Sequence, residues 1–382
     1  MKKRVAMVAS HVIQYQDPFF RLLAADPEID LTVLYCSRAG AEVYRDTDMQ
    51  TSLRWDIELL QGYRYVFLRN FGTGDGFLRL INPGVIPAIA RGHYDVVILF
   101  LGWGALTAFF AVAACRASGT PFFWYGDSSH PPPEDTWRRQ LRAGVLRTIF
   151  RLADGFLVSG VLNAEYYKHY GADERRFFLV PWAIDNERFA IRMSSEEREA
   201  MRARYDIAPD QVAFVYSGKL IPRKDPLTLV RAVTLMRERD RAVLFFLGHG
   251  ELRDAIESLA RENKVQVRFG GFVNQTELPK FYAMCDAFVL PTHYDPRATV
   301  INEAMASSLP VVVTDRCPMG DIVQPNDNAF VFRPGDAATL ASYLDRLVAE
   351  DTLRARMGAR SREIIESWDY SRGVEGVKAA LR

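Results

Sequence analysis

A chain of 382 residues is longer than one compact core usually organises, so two domains are expected. Lys plus Arg number 48 against 47 Asp plus Glu, which leaves none of the charge bias of a nucleic-acid-binding protein. Cys36, Cys115, Cys285 and Cys317 lie far apart without metal-ligand spacing, which argues against structural zinc and against a disulfide framework, and fits a reducing, cytoplasmic compartment.

The opening MKKRVAMVAS has a basic start but only a short apolar run and no small-residue cleavage site, so it reads as a first buried strand. Nowhere do about 18 apolar residues run together as a membrane span requires. PFFRLLAA then reads as a helix, and DLTVLYC, DVVILFLGW, PFFWYG and GFLVSG as further strands. Short apolar runs separated by helical patterns indicate parallel strands covered on both faces. Before the last of these strands, TWRRQLRAGVLRTIFRLADGF (136–156) is an amphipathic helix. It carries Trp137, Leu141, Val145, Ile149 and Leu152 on one face and Arg138, Arg139, Arg142, Arg147 and Arg151 mostly elsewhere. Such a helix suits peripheral contact with the inner face of an anionic membrane; packing of its stripe on the protein's own sheet is the plainer alternative.

The same texture restarts after residue 210 with VAFVYSG, AVLFFLG, VQVRFGG, AFVLPT and PVVVTD. Two doubly wound α/β halves are expected, joined near VPWAIDNERFAIRM (180–193): a first domain over 1–185, a second over 186–366 and a closing segment over 367–382. Ligands of such sheets bind outside the carboxyl ends of the strands, so both halves are expected to face a central cleft. No GxGxxG follows the first strand, which removes most dinucleotide-dependent dehydrogenases.

SGKLIPRKDP (217–226) leaves the first strand of the second half and places Lys219 and Lys224 at that carboxyl end. HYDPRATVINEAMASSLPVVV follows AFVLPT and sets Asp295 eight positions before Glu303. A helix starting near Thr299 offers its N-terminal N–H groups, with those of the loop through Arg297 and Ala298, to an anion such as a phosphate. A diphosphate there could also meet both lysines, while Glu303 accepts from the vicinal hydroxyls of a ribose and Asp295 from a hydroxyl of whatever the diphosphate carries. Taken singly, Glu303 reads equally as a helix acid and Asp295 as a turn residue.

SGKLIPRKDP, FLGHGELR, VQVRFGGFVNQTELPKFYAMCDAFVLPT and the Asp-x7-Glu segment together resemble the retaining, nucleotide-sugar-dependent glycosyltransferases of family 4, which have the GT-B fold. The resemblance covers the second half and extends more weakly into DPFFRLLAADPEIDLTVLYC, RWDIELLQGY and VPWAIDNERF. ESWDYSRGVEGVKAAL looks like the family's last helix, which crosses back to the first domain. It implies two Rossmann-like domains and transfer of a hexose from a nucleoside diphosphate sugar, UDP or GDP foremost, to a hydroxyl of a glycan, lipid-linked or small-molecule acceptor. Lys219, where the family usually has Arg, and Lys224 would bind the diphosphate and stabilise the leaving group, so no metal or other cofactor is expected. Glu303 would bind the ribose, and Phe272 with the backbone of Val273 would lie along the base.

The sequence also departs from the family. Asp295 is one methylene shorter than the usual Glu, Ser308 replaces a glycine, and Cys317, Pro318 and Met319 replace a later glycine pair of which Gly320 survives. In the first domain the Gly-rich loop gives way to a polar loop from His11 through Gln16 to Asp17, expected to face the acceptor or the phosphate. FFWYGDSSHPPP places Asp127, with His130 close by, where the family often has a catalytic His. Either residue could orient the reacting sugar or an acceptor hydroxyl; a loop hydrogen bond before the proline run explains them as well. A sugar-nucleotide epimerase or a phosphorylase of the same fold, and a non-catalytic nucleotide-sugar binding protein, are the rival readings.

Overall fold

In the computed structural model, which describes residues 2–46, 51–73, 76–129, 131, 135–295, 298–317 and 319–382, the apolar runs become strands. In chain order they are β1 (Lys3–Ala9), β2 (Ile29–Tyr35), β3 (Tyr44–Asp46), β4 (Thr51–Leu53), β5 (Arg64–Phe67), β6 (Val96–Phe100), β7 (Phe122–Trp124), β8 (Gly155–Val158) and β9 (Phe177–Leu179). The second half supplies β10 (Val212–Ser217), β11 (Ala242–Leu247), β12 (Val267–Gly271), β13 (Ala287–Leu290), β14 (Val311–Thr314) and β15 (Ala329–Phe332). Among the described residues these form a seven-stranded sheet in the order β5-β2-β1-β6-β7-β8-β9, a six-stranded sheet in the order β12-β11-β10-β13-β14-β15, and the pair β3-β4.

Both large sheets are parallel, most of their strands being rejoined through a helix, whereas β2 reaches β5 by way of the β3-β4 pair and β14 reaches β15 through a loop. Their central strands are buried along nearly their whole length: the side chains of Val5 to Ala9, of Val96 to Phe100 and of Val212 to Ser217 all lie in the interior. Branched and aromatic residues fill the two faces, as a sheet sandwiched between helices requires.

The chain divides into two compact units. The first comprises Met1–Tyr44, Glu58–Trp182 and Tyr370–Arg382; the second comprises Arg45–Ile57 and Ala183–Asp369. The excursion 45–57, which lies inside the first domain as expected from sequence, thus groups with the second unit. The closing helix Tyr370–Ala380 belongs to the first. It lies close enough that a Cβ at Gly376 would stand 1.9 Å from the Leu179 carbonyl oxygen, so glycine is needed there. Tyr370 donates its hydroxyl hydrogen bond to the Tyr15 carbonyl at 2.8 Å, and Lys378 pairs with Asp26 at 3.2 Å and Glu28 at 2.9 Å.

Candidate functional site

In an open parallel sheet the strand order reverses at one place, and the loops leaving the two strands there diverge to opposite faces and open a crevice. In the second unit that place lies between β10 and β13. The loop leaving β10 is the one that carries Lys219 and Lys224, and the loop leaving β13 carries Asp295. The topology therefore brings together residues 71 positions apart in sequence, and Lys224 and Asp295 form an ion pair. Both side chains are nearly buried, at 12% and 10% exposure, so each serves as the counter-ion that a charge out of water needs.

The two loops are bound to each other beyond that pair. Arg223 donates from Nη1 to the Tyr294 carbonyl at 2.6 Å, and its own carbonyl accepts from the His293 N–H at 2.9 Å and from Thr292 Oγ1 at 3.0 Å. Tyr216 donates its hydroxyl to the Lys219 carbonyl at 2.8 Å, which holds the start of the first loop. Asp225 is a helix cap: it accepts from the Thr228 N–H at 3.3 Å and from Thr228 Oγ1 at 2.7 Å, opening the helix Pro226–Leu235.

The helix Thr299–Ala306 begins where the sequence places it, and no side chain caps it. Asp295 Oδ1 accepts from the Ala298 N–H at 3.2 Å. Ala298 itself adopts φ 40° and ψ 36°, a left-handed conformation that costs a residue with a Cβ about 1–2 kcal/mol, so strain is stored in this loop. Ser308 is likewise in the left-handed region, at φ 59°.

Glu303 lies inside that helix and is 9% exposed, which is the wrong environment for a bare carboxylate. Burial pushes its carboxyl up to about 7, against a partial offset from the Tyr282 hydroxyl, which donates to Oε2 at 2.8 Å, and from the Arg188 guanidinium. At neutral pH Glu303 thus sits near the midpoint between an acceptor-only carboxylate and an acid that can donate.

At the end of β12, Phe272 and Val273 are half-buried. The Phe272 N–H donates to His249 Nε2 at 3.1 Å, and the Trp55 ring lies 6.1 Å from the Phe272 ring. Gly248 and Gly250 act through the backbone alone: a Cβ on Gly248 would meet the Gly218 carbonyl oxygen at 2.1 Å and one on Gly250 the Leu220 carbonyl oxygen at 2.4 Å. They let the loops after β10 and β11 run side by side, joined by the Leu220 N–H to the His249 carbonyl at 2.9 Å.

In the first unit the strand order reverses between β1 and β6. His11 follows β1 and its Nδ1 lies 2.9 Å from Ser10 Oγ; Gln16 is buried at the start of the helix Asp17–Ala25. Asp17 is a packing residue, accepting from the Leu60 N–H at 2.6 Å and the Tyr63 hydroxyl at 2.8 Å, and pairing with Arg21 at 2.6 Å. Asp127 is half-buried on the loop leaving β7. That loop is fixed by Asn163, which donates to the Ser128 carbonyl at 2.7 Å and the Gly126 carbonyl at 3.3 Å, and by the Tyr167 hydroxyl, which accepts from the Gly126 N–H at 2.8 Å. Trp124 is a core residue, and Trp103 is covered by the Arg142 guanidinium at 4.6 Å from its ring.

His130 and Arg297 lie outside the described residues. Within the second unit the structure gathers Lys219, Lys224, Asp295, Ala298 and Thr299 around one reversal of strand order, with Glu303 on the helix that starts there. Sequence reasoning missed Tyr282, Arg188 and His249, which act on Glu303 and Phe272. All three lie in segments whose pattern stands out in the sequence, but only the fold shows what they touch. Among the described residues no group of three His, Cys, Asp or Glu side chains is placed to hold a metal ion. The four cysteines are free and buried, and burial pushes the Cys36, Cys115 and Cys317 thiols up to about 12.

Residues 197–364 match the family model described as "Glycosyl transferases group 1". An uncharacterized glycosyltransferase of Methanocaldococcus jannaschii is 30% identical over 195 residues, half of each chain. A sulfoquinovosyl transferase of Arabidopsis thaliana is 27% identical over 300 residues, 76% of this chain and 57% of the relative. The chain thus spans about half the length of the curated relatives it matches. HepE of Anabaena, solved in complex with UDP, superposes with a TM-score of 0.77 at 15% identity over 99% of both chains, which shows a shared GT-B fold.

Proposed function

We propose that this chain, residues 197–364 of which match the glycosyl transferases group 1 model, moves a hexose from a nucleoside diphosphate sugar to a hydroxyl of a glycan, glycolipid or natural-product acceptor, with retention at the anomeric carbon. One observation carries the reading: the β10 loop that holds both lysines and the loop that leads into the uncapped helix Thr299–Ala306 flank the reversal of strand order, where a sheet of this kind binds its ligand, and Lys224 pairs with Asp295 across them. The UDP bound by HepE is consistent with it, since that protein shares the fold.

The roles follow from the chemistry of each group. Lys224 and Lys219 supply the positive charge for the diphosphate, and that charge matters most as the bond to the sugar breaks and the leaving group gains a negative charge. The first N–H groups of the helix, reached over Ala298 and Thr299, add donors and a favourable dipole. Asp295, already bound to Lys224 and to the Ala298 N–H, lies beside the phosphate position, where it accepts from a sugar hydroxyl and orients the anomeric carbon. Glu303, once ionised, accepts from the ribose hydroxyls, with Tyr282 holding one of its oxygens. The Phe272 ring and the Val273 backbone lie along the base. With two ammonium groups at the diphosphate, the step proceeds without a divalent cation. His11, Gln16 and Asp127, with His130, are the first-unit candidates for the acceptor side.

The test is the thermal midpoint of the purified protein with UDP, GDP, ADP and dTDP at equal concentration, beside Lys224→Ala. A nucleotide at 100 times its dissociation constant adds about 2.7 kcal/mol of stability. One nucleotide is expected to raise the midpoint of the wild type and not of Lys224→Ala. A shift by none, or an equal shift in the variant, removes the diphosphate site. Loss of the sugar only when an alcohol acceptor is added then separates transfer from epimerisation and from simple binding.

A further inference from the structure

The helix Trp137–Leu152 in the first unit buries one stripe and leaves another in the open. Ala143, Leu146, Ile149 and Phe150 face the core. Trp137, Leu141 and Leu152 remain 68%, 62% and 40% exposed, although the sequence pattern alone allowed the whole stripe to pack inward. At 100° per residue, positions 137, 141, 145, 148 and 152 fall within one quarter of the helix circumference. This outer stripe is continued by Phe109, Val112 and Ala113 of the helix Leu106–Ser118, and between the two helices runs an open, mostly apolar groove of about 830 Å³. A contiguous exposed apolar surface of this kind marks a place where something else docks.

Charge identifies the occupant. The helix holds five arginines and no acid, in a chain whose net charge is only +1. By the same helical spacing Arg138 borders the outer stripe on one side and Arg147 and Arg151 on the other, while Arg142 turns inward over the Trp103 ring and toward the Tyr166 hydroxyl. Among the described residues, the acids at the two ends of the helix are engaged: Asp135 pairs with Arg139 at 2.5 Å, and Asp154 pairs with Arg116 on the neighbouring helix. The helix Leu106–Ser118 adds no acid. An apolar stripe bordered on both sides by guanidinium groups, with an exposed tryptophan at one end, matches a lipid interface with anionic headgroups: the ring and leucines enter the acyl boundary and the arginines meet phosphate. No described helix is long and apolar enough to cross a membrane, so the contact lies in the plane of the surface.

We propose that the outer stripe of Trp137–Leu152, with the groove against Leu106–Ser118, docks the protein on an anionic membrane surface. The inference stands apart from the sugar-transfer reading, because lipid binding needs no donor. Flotation with vesicles of phosphatidylcholine, alone or mixed with phosphatidylglycerol, at low and at high salt tests it. Binding is expected to the mixed vesicles, to weaken with salt, and to blue-shift tryptophan emission in the wild type but much less in Trp137→Phe. Leu141→Ser combined with Leu152→Ser is expected to abolish flotation, and Arg138→Gln and Arg151→Gln each to weaken it about fivefold. All four positions are exposed, and an unchanged thermal midpoint confirms that the variants fold. No flotation of the wild type, equal binding to neutral vesicles, or full binding by the leucine double variant overturns the proposal. A concentration-dependent dimer that Leu141→Ser dissolves overturns it in favour of a second copy of the chain.

Discussion

The two units solve the same topological problem with different chemistry. Where strand order reverses in the second unit, the flanking loops carry Lys219, Arg223, Lys224 and Asp295 and are joined through a nearly buried ion pair. Where it reverses in the first, β6 ends in Phe100, which stacks on Tyr125 at 4.4 Å and on Trp182 at 5.3 Å, while Tyr125 and Trp182 stack at 5.1 Å. One crevice is built of charge and held by it; the other is built of aromatic packing, beside a loop after β7 that Asn163 and Tyr167 hold by its backbone. A charged crevice selects an anion by its residue types, whereas a packed one selects by shape.

The largest effect expected of that difference is on Lys224. Removing one member of a nearly buried pair takes from the other the counter-ion it has in the fold, so Lys224→Met should lower stability in denaturant unfolding, by up to about 3–5 kcal/mol, and adding Asp295→Asn should restore most of what is lost. Nucleotide binding should stay lost in both. A single variant as stable as the wild type would mean that the pair is exchanged with water, and the second unit's crevice would then be no more charge-built than the first.

Glu303 provides the next effect, and its sign is fixed. Its carboxyl holds a proton up to about pH 7 in the folded chain, against an ordinary value of 4.5, so between those limits the folded state binds more proton than the unfolded one. Stability contributed by this group therefore falls as pH rises from 4.5 to about 7 and is flat above, a loss of about 3 kcal/mol. Glu303→Gln should remove that slope, measured as the difference between the two proteins' unfolding free energies across the window. Nucleotide affinity should run the other way in the wild type, rising through pH 7 as the carboxylate forms. If the two proteins show the same stability profile, burial does not govern Glu303.

The comparison also explains what was legible in the sequence. The buried central strands β1, β6, β10, β11, β13 and β14 announce themselves as unbroken apolar runs, and two lysines with two spaced acids point to an anion from their spacing alone. The edge strands β5, β9 and β15 do not: Arg64–Phe67 is largely exposed, Phe177–Leu179 is three half-buried residues, and Ala329–Phe332 follows β14 with no helical pattern between them to mark it as a new strand. The excursion 45–57 groups with the second unit through contacts such as the Asn274 side chain donating to the Arg54 carbonyl at 2.6 Å, over a separation of 220 residues, which no local signal encodes. Tyr282 and Arg188 stayed invisible for the same reason: what they do is decided by their distance to Glu303. The stripe on Trp137–Leu152 was visible as amphipathic, but only the fold shows that it has one apolar side for the core and another for the outside.

A smaller effect tests the first unit's half of the comparison. Asn163 is 4% exposed and satisfies three backbone groups at once: the Ser128 and Gly126 carbonyls through Nδ2 and the Ser159 N–H through Oδ1 at 3.0 Å. Asn163→Ala leaves them without that partner in a site closed to water and should cost about 1–3 kcal/mol. Because the loop through Asp127 would lose its tether while the second unit's crevice is untouched, nucleotide binding should persist as acceptor-dependent turnover falls. Turnover and nucleotide binding lost together would show that the pinned loop serves the donor as well, and the division of labour between a charged and a packed crevice would have to be abandoned.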